Sequence, residues 1–490
     1  MQRTTLLLTL SLLCLGIARG ADTSTTIIAV GDTARMPLHE IIAKGLPVLD
    51  INTVDGEEPT CDYVSAPAGC MGYGIANATK VPGRLVIYRL MDDVDSVVYD
   101  SGDYEKDASG MTIKMRGNTS AYDPKKPYKI KLQKKNDLLM RGVDSVYKDK
   151  EWLLLCDDYF STLSGLKVNE LVGMTWTPQH RYVNVVINGS YRGIYLLCEA
   201  IKRNPDCRLN VDKNSGFIFE HDAYWWNESV YVTSNKAPSY NYTFKYPDDE
   251  DILPEQLQYM QDLVTRYENS LTADNYPDLI DVRSFAGWCL VHDIEGTQDS
   301  GGANRFFTKY DTTLSTKIVM PLAWDFDMAE RTTSAWSRSH VSHMTVLFNN
   351  SNRTFVAEFA ALWRQVRGSL VNDFNEYMKA FRRSDQGIGL ENSVPLDKLV
   401  YSRPISVLDY TTARAEWIRS RHTWLDKSIN ALNPVGDVNV DGKVDVSDAT
   451  LLINELISDA AGCTIAADVN SDGQINISDA ITLVTMLLQQ

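Results

Sequence analysis

In the stretch "PYKIKLQ", Tyr128, Ile130 and Leu132 alternate with Lys129 and Lys131. A period of two sets both lysines on the face opposite the apolar one, as in a half-buried strand. "GRLVIYRL" and "MTIKMRG" also read as strands. "YVNVVINGSYRGIYLLCEAI" joins two β-rich runs through Asn188-Gly189 and predicts a hairpin. "STLSGLKVNELVG" reads as a short helix. Further along, the apolar spacing lengthens. Pro254 opens a helix over 254–271 with Leu257, Met260, Leu263, Val264 and Tyr267 on one face. "VRSFAGWCLVHDIEG" predicts another, and 355–381 a third with Phe355, Phe359, Leu362, Val366 and Leu370 in a stripe. Such aromatic stripes belong to a core. The pattern is α+β, a strand-rich part followed by a helix-rich part.

The apolar run "KIVMPLAW" predicts a buried strand that pairs with "NRFFTKY" and ends in "DFD". A buried carboxylate needs a cation. For Asp325 that is either an arginine, Arg305 or Arg331, or a metal ion. The loop "GTQDSGGANRFF" places Asp299 and Asn304 in D-x-x-x-x-N spacing between a helix and a strand. Phosphoryl transfer uses such parts: a carboxylate to take a hydroxyl proton, an amide and a carboxylate to hold Mg²⁺, and a strand lysine for the phosphates. Lys129 or Lys131 has the strand setting for the last role. Spacing alone leaves this reading and the arginine-paired one both open.

Composition adds three things. With 490 residues and 44% hydrophobic content, the chain is long enough for more than one domain. The net charge of −16 and the lack of any basic block argue against a nucleic-acid surface. Half of that excess lies in residues 434–490, where nine acids meet one base. There "DVNVDGKVDVSD" at 437 and "DVNSDGQINISD" at 468 repeat at a period of 31, with oxygen side chains at loop positions 1, 3, 5, 9 and 12 and glycine at 6. This is the EF-hand ligand order, since Ca²⁺ takes six to eight hard oxygens and the turn needs a glycine. The first loop offers Asp437, Asn439, Asp441 and Asp448, the second Asp468, Asn470, Asp472 and Asp479. Lys443 and Gln474 would give backbone carbonyls, with Asp445 and Asn476 acting through water. Both loops end in aspartate where glutamate is usual, and each is followed by one helix with none before it.

At the other end, residues 1–20 have a basic start, a short apolar run and small residues before Ala21, the form of a signal peptide. No segment reaches the length of a membrane span. Residues 21–45 read as a loose leader, 46–433 as the main domain and 434–490 as a separately folding tail. Seven cysteines follow the signal peptide. Cys61 and Cys70 flank a Pro/Gly loop and either pair or stay as thiols, and no Cys/His spacing suggests zinc.

The two half-hands resemble a dockerin module, which implies two Ca²⁺ ions and a cohesin-type partner. "MRGNTSAYDPKKPYKIKLQKK", "WLLLCDDYFSTLSGLKVNELVG", "VVINGSYRGIYLLCEAIKR", "TFKYPDDED" and "LAWDFD" resemble the CotH kinase family. That resemblance implies an atypical, two-lobed protein-kinase-like fold and transfer of phosphate from ATP, with Mg²⁺ or Mn²⁺, to hydroxyls of a protein substrate. It implies Asp299 as the catalytic acid, Asn304 and Asp325 as metal ligands, Lys129 or Lys131 on the phosphates, and Arg116 and Gly117 in the phosphate-covering loop. Glu170 or Glu199 would pair with the lysine. The chain departs from the family in "PLAWDFD", where the proline is displaced from the tryptophan, and it has no G-x-G-x-x-G run. The expectation is a secreted kinase held in an extracellular or cell-surface complex. A non-catalytic scaffold keeping the same fold is the second reading, and a carbohydrate-active component, with Asp299 and Asp325 as paired acids, the third.

Overall fold

The computed structural model describes residues 36–142, 144–157, 160–236, 240–297, 304–331, 333–337, 342–402, 406–458, 465–470 and 472–489. The expected signal peptide, Asp299 and Cys463 therefore lie outside the described residues.

The part of the expected leader that is described is a packed element. Helix α1 (Leu38–Ile42) buries Ile41 and Ile42 against Val48, Val186 and Tyr191. The folded unit thus begins before Leu46, because two adjacent isoleucines give even a five-residue helix an apolar side to bury.

Strands β1 (Val48–Thr53), β4 (Val81–Met91), β6 (Met111–Met115), β7 (Tyr128–Asn136), β8 (Asp149–Leu155), β9 (His180–Ile187) and β10 (Ser190–Glu199) form one sheet. Its order runs β1-β9-β10-β8-β7-β6-β4, and β1 pairs again with β4, so the sheet closes into a barrel. Only the β1/β9 contact is parallel among these pairs. Alternation along each strand fills the interior with Ile51, Leu85, Ile113, Ile130, Trp152 and Val185. The expected hairpin is β9–β10, turning at Asn188 and Gly189 with φ of 51° and 73°, the left-handed pair that a primed turn requires. Strand β5 (Val94–Asp100) extends β4 beyond the barrel, and β2 (Asp62–Ser65) with β3 (Tyr73–Ala76) makes a separate hairpin.

A second sheet has the order β12-β13-β11-β14-β15, with β11 (Phe217–Asp222), β12 (Tyr231–Val232), β13 (Asn241–Tyr246), β14 (Arg305–Lys309) and β15 (Ile318–Val319). β14 and β15 pair as expected, but the strand stops at Val319 and residues 320–326 run on without sheet partners. The three expected helices appear as α2 (Ser161–Val172), α3 (Pro254–Ser270) and α4 (Val282–Glu295), and the long stripe as α6 (Thr354–Arg383). α5 (Ser342–Phe348), α7 (Asp385–Val400) and α8 (Val407–Leu432) complete the layer around one large core that holds Trp288, Phe359, Trp363 and Leu425. No described helix is long and apolar enough to cross a membrane.

The tail contains α9 (Val446–Ser458) and α10 (Ile477–Leu488) around a small core of Val438, Leu452, Val469 and Leu483. It is not detached from the main domain. The Arg364 guanidinium of α6 donates to the Asn433 side-chain oxygen at 3.0 Å and to its backbone carbonyl. Asn433 in turn donates to Asp437 Oδ2 at 3.2 Å, and the turn at 465–467 packs on α6. Removing this arginine leaves the buried Asn433 amide and carbonyl short of a donor, at a cost of about 1–3 kcal/mol. Arg364→Ala is therefore expected to speed protease cleavage around residues 434–436 while leaving the barrel's protection unchanged.

All six described cysteines are free thiols. Cys61 and Cys70 are not bridged, and Cys61 Sγ instead lies 3.7 Å from Met115 Sδ.

Candidate functional site

A cleft of about 750 Å³ is lined by both sheets. From the barrel come Lys114, Arg116, Gly117 and Lys129, and from the second sheet Glu220, Asp222, Lys245 and Asn304, with Asp325 and Asp327 between them. The cleft thus gathers Arg116, Gly117, Lys129, Asn304 and Asp325, residues that are up to 209 positions apart in the chain.

Asp325 reaches the cleft because its segment is clamped to α2. The Asn169 amide donates to the Ala323 carbonyl at 2.8 Å and accepts from the Ala323 N–H at 3.1 Å, taking the place of a sheet partner. One turn earlier, Gly165 faces the fully buried Phe326 ring, and a Cβ at Gly165 would come within 2.2 to 2.4 Å of three of its ring carbons. The backbone between these anchors is unusual. Asp325 has φ 67° and Asn304 has φ 64°, left-handed values that a residue with a Cβ adopts at some cost and that cluster at functional sites. Gly165→Ala is expected to displace Phe326, lower stability by about 1–3 kcal/mol through overpacking, and shift Asp325 with it. Thermal unfolding measured beside ligand binding tests both effects.

Neither arginine considered from sequence goes to Asp325. Arg305 points to the far side of its strand, where it bonds Nδ1 of His221 and approaches Nδ1 of His343 at 3.4 Å. Arg331 donates to Met328 Sδ. Asp325 is the charge that acts most strongly on Arg116, which also lines the cleft: burial lowers the Arg116 pKa, and attraction to Asp325 opposes that. Asn304 donates its side-chain amide to Asp325 Oδ2, and its backbone N–H donates to Glu220 Oε1 at 3.0 Å. This use of the amide nitrogen leaves the Asn304 carbonyl oxygen for a cation. An amide oxygen beside a carboxylate is a hard-oxygen pair, and it fits Mg²⁺ or Mn²⁺.

Lys129 Nζ lies 2.6 Å from Glu151 Oε2 on the neighbouring strand, and Lys131 and Lys202 approach the same carboxylate at 3.4 and 3.5 Å. Burial pushes Glu151 up, but the three lysines outweigh it and bring it down to about 2. The carboxylate that fixes the lysine is thus Glu151, which replaces both expected candidates. Glu170 pairs with Lys167 at 2.9 Å on the surface of α2. Glu199 is buried beside Arg208 at 3.6 Å and accepts from the Gln179 N–H. Both lie outside the cleft. The pairing of Glu151 with Lys129 depends on which strands of the barrel are neighbours, and the sequence pattern does not give that.

Glu220 and Lys245 were also not anticipated. They form an ion pair of 3.0 Å. Burial raises Glu220 to about 7, with Lys245 opposing and Asp222 adding. "GFIFEHD" alternates about a strand, so Glu220 and Asp222 share one face, and that period was the available signal.

Behind the cleft, His221, Glu268 and His343 bring ligand-type atoms within 4.8 Å of one another. Arg305 already supplies the cation there. Its N–H groups require Nδ1 of each ring to accept, so Nε2 carries the proton, and His343 Nε2 faces Glu268 Oε1 at 3.3 Å as donor. This protonation is the wrong one for Nε2 ligation. The network instead fixes Arg305, the residue after Asn304.

In the tail, each loop is folded around its first and last acids. Asp437 accepts from the N–H groups of Asp441 and Gly442, and Asp448 from those of Asn439 and Asp445, all at 2.9 Å. The second loop repeats this with Asp468 and Asp479. Gly442 and Gly473 have φ of 90° and 82°, the left-handed turn that favours glycine. The terminal aspartates Asp448 and Asp479 also sit in the first turns of α9 and α10. Asn439, Asp441, Asn470 and Asp472 complete the side-chain oxygens, with Lys443 and Gln474 at the carbonyl positions.

A closed barrel sharing a charged cleft with a second sheet, followed by two calcium-type loops, defines an α+β protein with an appended calcium module. Residues 113–383, more than half of the chain, match the family described as CotH kinase protein, and the chain belongs to that family. Residues 435–488 match the dockerin type I domain, which implies calcium binding and a cohesin partner. No curated protein matches the chain.

Proposed function

We propose that this is a secreted protein kinase with a two-lobed, kinase-like arrangement, tethered by its dockerin to a cohesin-bearing extracellular complex. In this reading the barrel is one lobe, and the second sheet with its helices is the other. The observation that carries it is the cleft itself, where Lys129 with its Glu151 brace faces Asn304 and Asp325.

ATP would lie with its phosphates between Lys129 and the Asn304–Asp325 pair, Arg116 and Gly117 covering them. Mg²⁺ or Mn²⁺ held by Asn304 and Asp325 would neutralise phosphate charge. Asp299 accepts the proton of a substrate hydroxyl as its oxygen bonds the γ-phosphorus, the bond to the bridging oxygen breaks, and ADP leaves. Glu151 keeps Lys129 in place across that event. The two calcium loops, Asp437 to Asp448 and Asp468 to Asp479, hold α9 and α10 in the shape that a cohesin reads.

Incubating the mature protein with labelled ATP and Mg²⁺ or Mn²⁺ tests this reading. Label on the protein, absent when Asp299 is changed to Asn, supports it. A wild type that takes up no label with either metal, alone or with candidate acceptor proteins, points to the scaffold reading.

A further inference from the structure

Besides Lys129 and Lys245 the cleft holds a further lysine, Lys114, that no pairing with the described residues accounts for. β6 and β7 are antiparallel neighbours, and Lys114 stands directly opposite Lys129. Both side chains line the cleft. Like charges directly opposite across an antiparallel pair are destabilising. Lys129 is answered by Glu151 at 2.6 Å, whereas Lys114 forms no ion pair or hydrogen bond with any described residue. Its pKa is lowered by burial first and then by Lys129 and Lys80, while Glu151 and Glu228 act on it only from a distance. A strand residue with a free choice of side chain would relieve this repulsion with a neutral group. Retaining an ammonium at the position makes sense where an anion with more than one charge spans both lysines.

We propose that Lys114 is a second phosphate-contacting residue, forming with Lys129 a two-lysine clamp across β6 and β7 for a chain of at least two phosphates. The inference rests on the nucleotide reading of the cleft and specifies which part of the ligand is recognised. The clamp selects for a linear polyphosphate group, and a nucleoside triphosphate and inorganic tripolyphosphate both carry that chemistry. Lys129 reaches the phosphate nearest Asp325, and Lys114, one strand further from β8, takes the neighbouring phosphate.

The test is calorimetric titration of the full chain and of Lys114→Gln with ATP, ADP, AMP and tripolyphosphate, each with Mg²⁺. Glutamine keeps the length and removes the charge. Loss of one charge-assisted contact should weaken ATP and ADP by about tenfold or more, with AMP nearly unaffected. Tripolyphosphate weakened alongside ATP assigns recognition to the phosphate chain alone, and tripolyphosphate that binds neither protein assigns it to a nucleotide. Without ligand, Lys114→Gln should unfold at the same temperature as the wild type or higher, because a like-charge pair has been relieved; Lys114→Arg should retain binding. Equal ATP affinity in wild type and Lys114→Gln, or equal weakening of AMP and ATP, overturns the clamp and leaves the nucleotide reading standing. A lower unfolding temperature without ligand assigns Lys114 a structural role instead. A wild type that binds none of the four ligands overturns both.

Discussion

Chelating Ca²⁺ from the full chain is expected to unfold residues 434–490 while the main domain keeps its structure. The tail has nine acids and one base, and its core is seven small or medium side chains, from Val438 to Leu483. Without the ion, Asp437, Asp441 and Asp448 would be held together against their own repulsion. Burial already pushes Asp437 up, backbone hydrogen bonds oppose that, and Asp448 adds to it. So small a core cannot offset such repulsion, and the free energy of metal binding becomes the free energy of folding. Circular dichroism should show loss of the α9 and α10 contribution with chelator and its return with Ca²⁺, and cohesin capture should follow the same curve. A tail equally helical in chelator would contradict the assignment. The link from Arg364 through Asn433 to Asp437 adds a finer expectation: Arg364→Ala should lower the Ca²⁺ affinity of the first loop more than that of the second.

The second large effect is at "WDFD". Asp325→Ala should weaken Mg²⁺-dependent ATP binding by about two orders of magnitude, because the metal loses its carboxylate and the phosphates their counter-charge. Asp299→Asn should keep binding and lower transfer by roughly 10²–10⁴-fold, since an amide fits the space and cannot take the hydroxyl proton. A purely structural Asp325 makes a different forecast. Its removal would leave the Arg116 guanidinium without its strongest charge partner and cost roughly 3–5 kcal/mol, with no nucleotide effect. Measuring unfolding and binding on the same samples separates the two outcomes.

Periodicity made much of the fold legible. The β7 alternation, the Asn188-Gly189 turn and the stripes of α3 and α6 were readable because side-chain period and capping residues are local properties. The barrel closure was not, since the β1/β4 and β1/β9 contacts join residues up to 136 positions apart without a local signature. The same limit governs the site. A strand-ending acid and a spaced amide single out Asp325 and Asn304, and its face of a strand singles out Lys129; the fold brings the three into one cleft. The Lys129 partner Glu151 was not legible, because cross-strand neighbours depend on sheet order; Glu170 and Glu199 were preferred for their local setting, and both are engaged elsewhere. The run through Leu322 was read as strand for its apolar side chains, whereas Asn169 supplies the backbone bonds there in place of a strand. Glycine and acid spacing in the tail needed no tertiary information, so the loop turns at Gly442 and Gly473 and the acids that accept their backbone N–H groups were legible residue by residue.

The central expectation is that the cleft binds a metal–nucleotide complex through Asp325 and Asn304. Thermal unfolding of the wild type with ATP alone, Mg²⁺ alone and both together tests it most directly. Mg²⁺ and ATP together should raise the unfolding temperature by more than the sum of their separate effects, and this rise should disappear in Asp325→Ala. An unfolding temperature that does not move with any combination of ATP, Mg²⁺ and Mn²⁺ would contradict it.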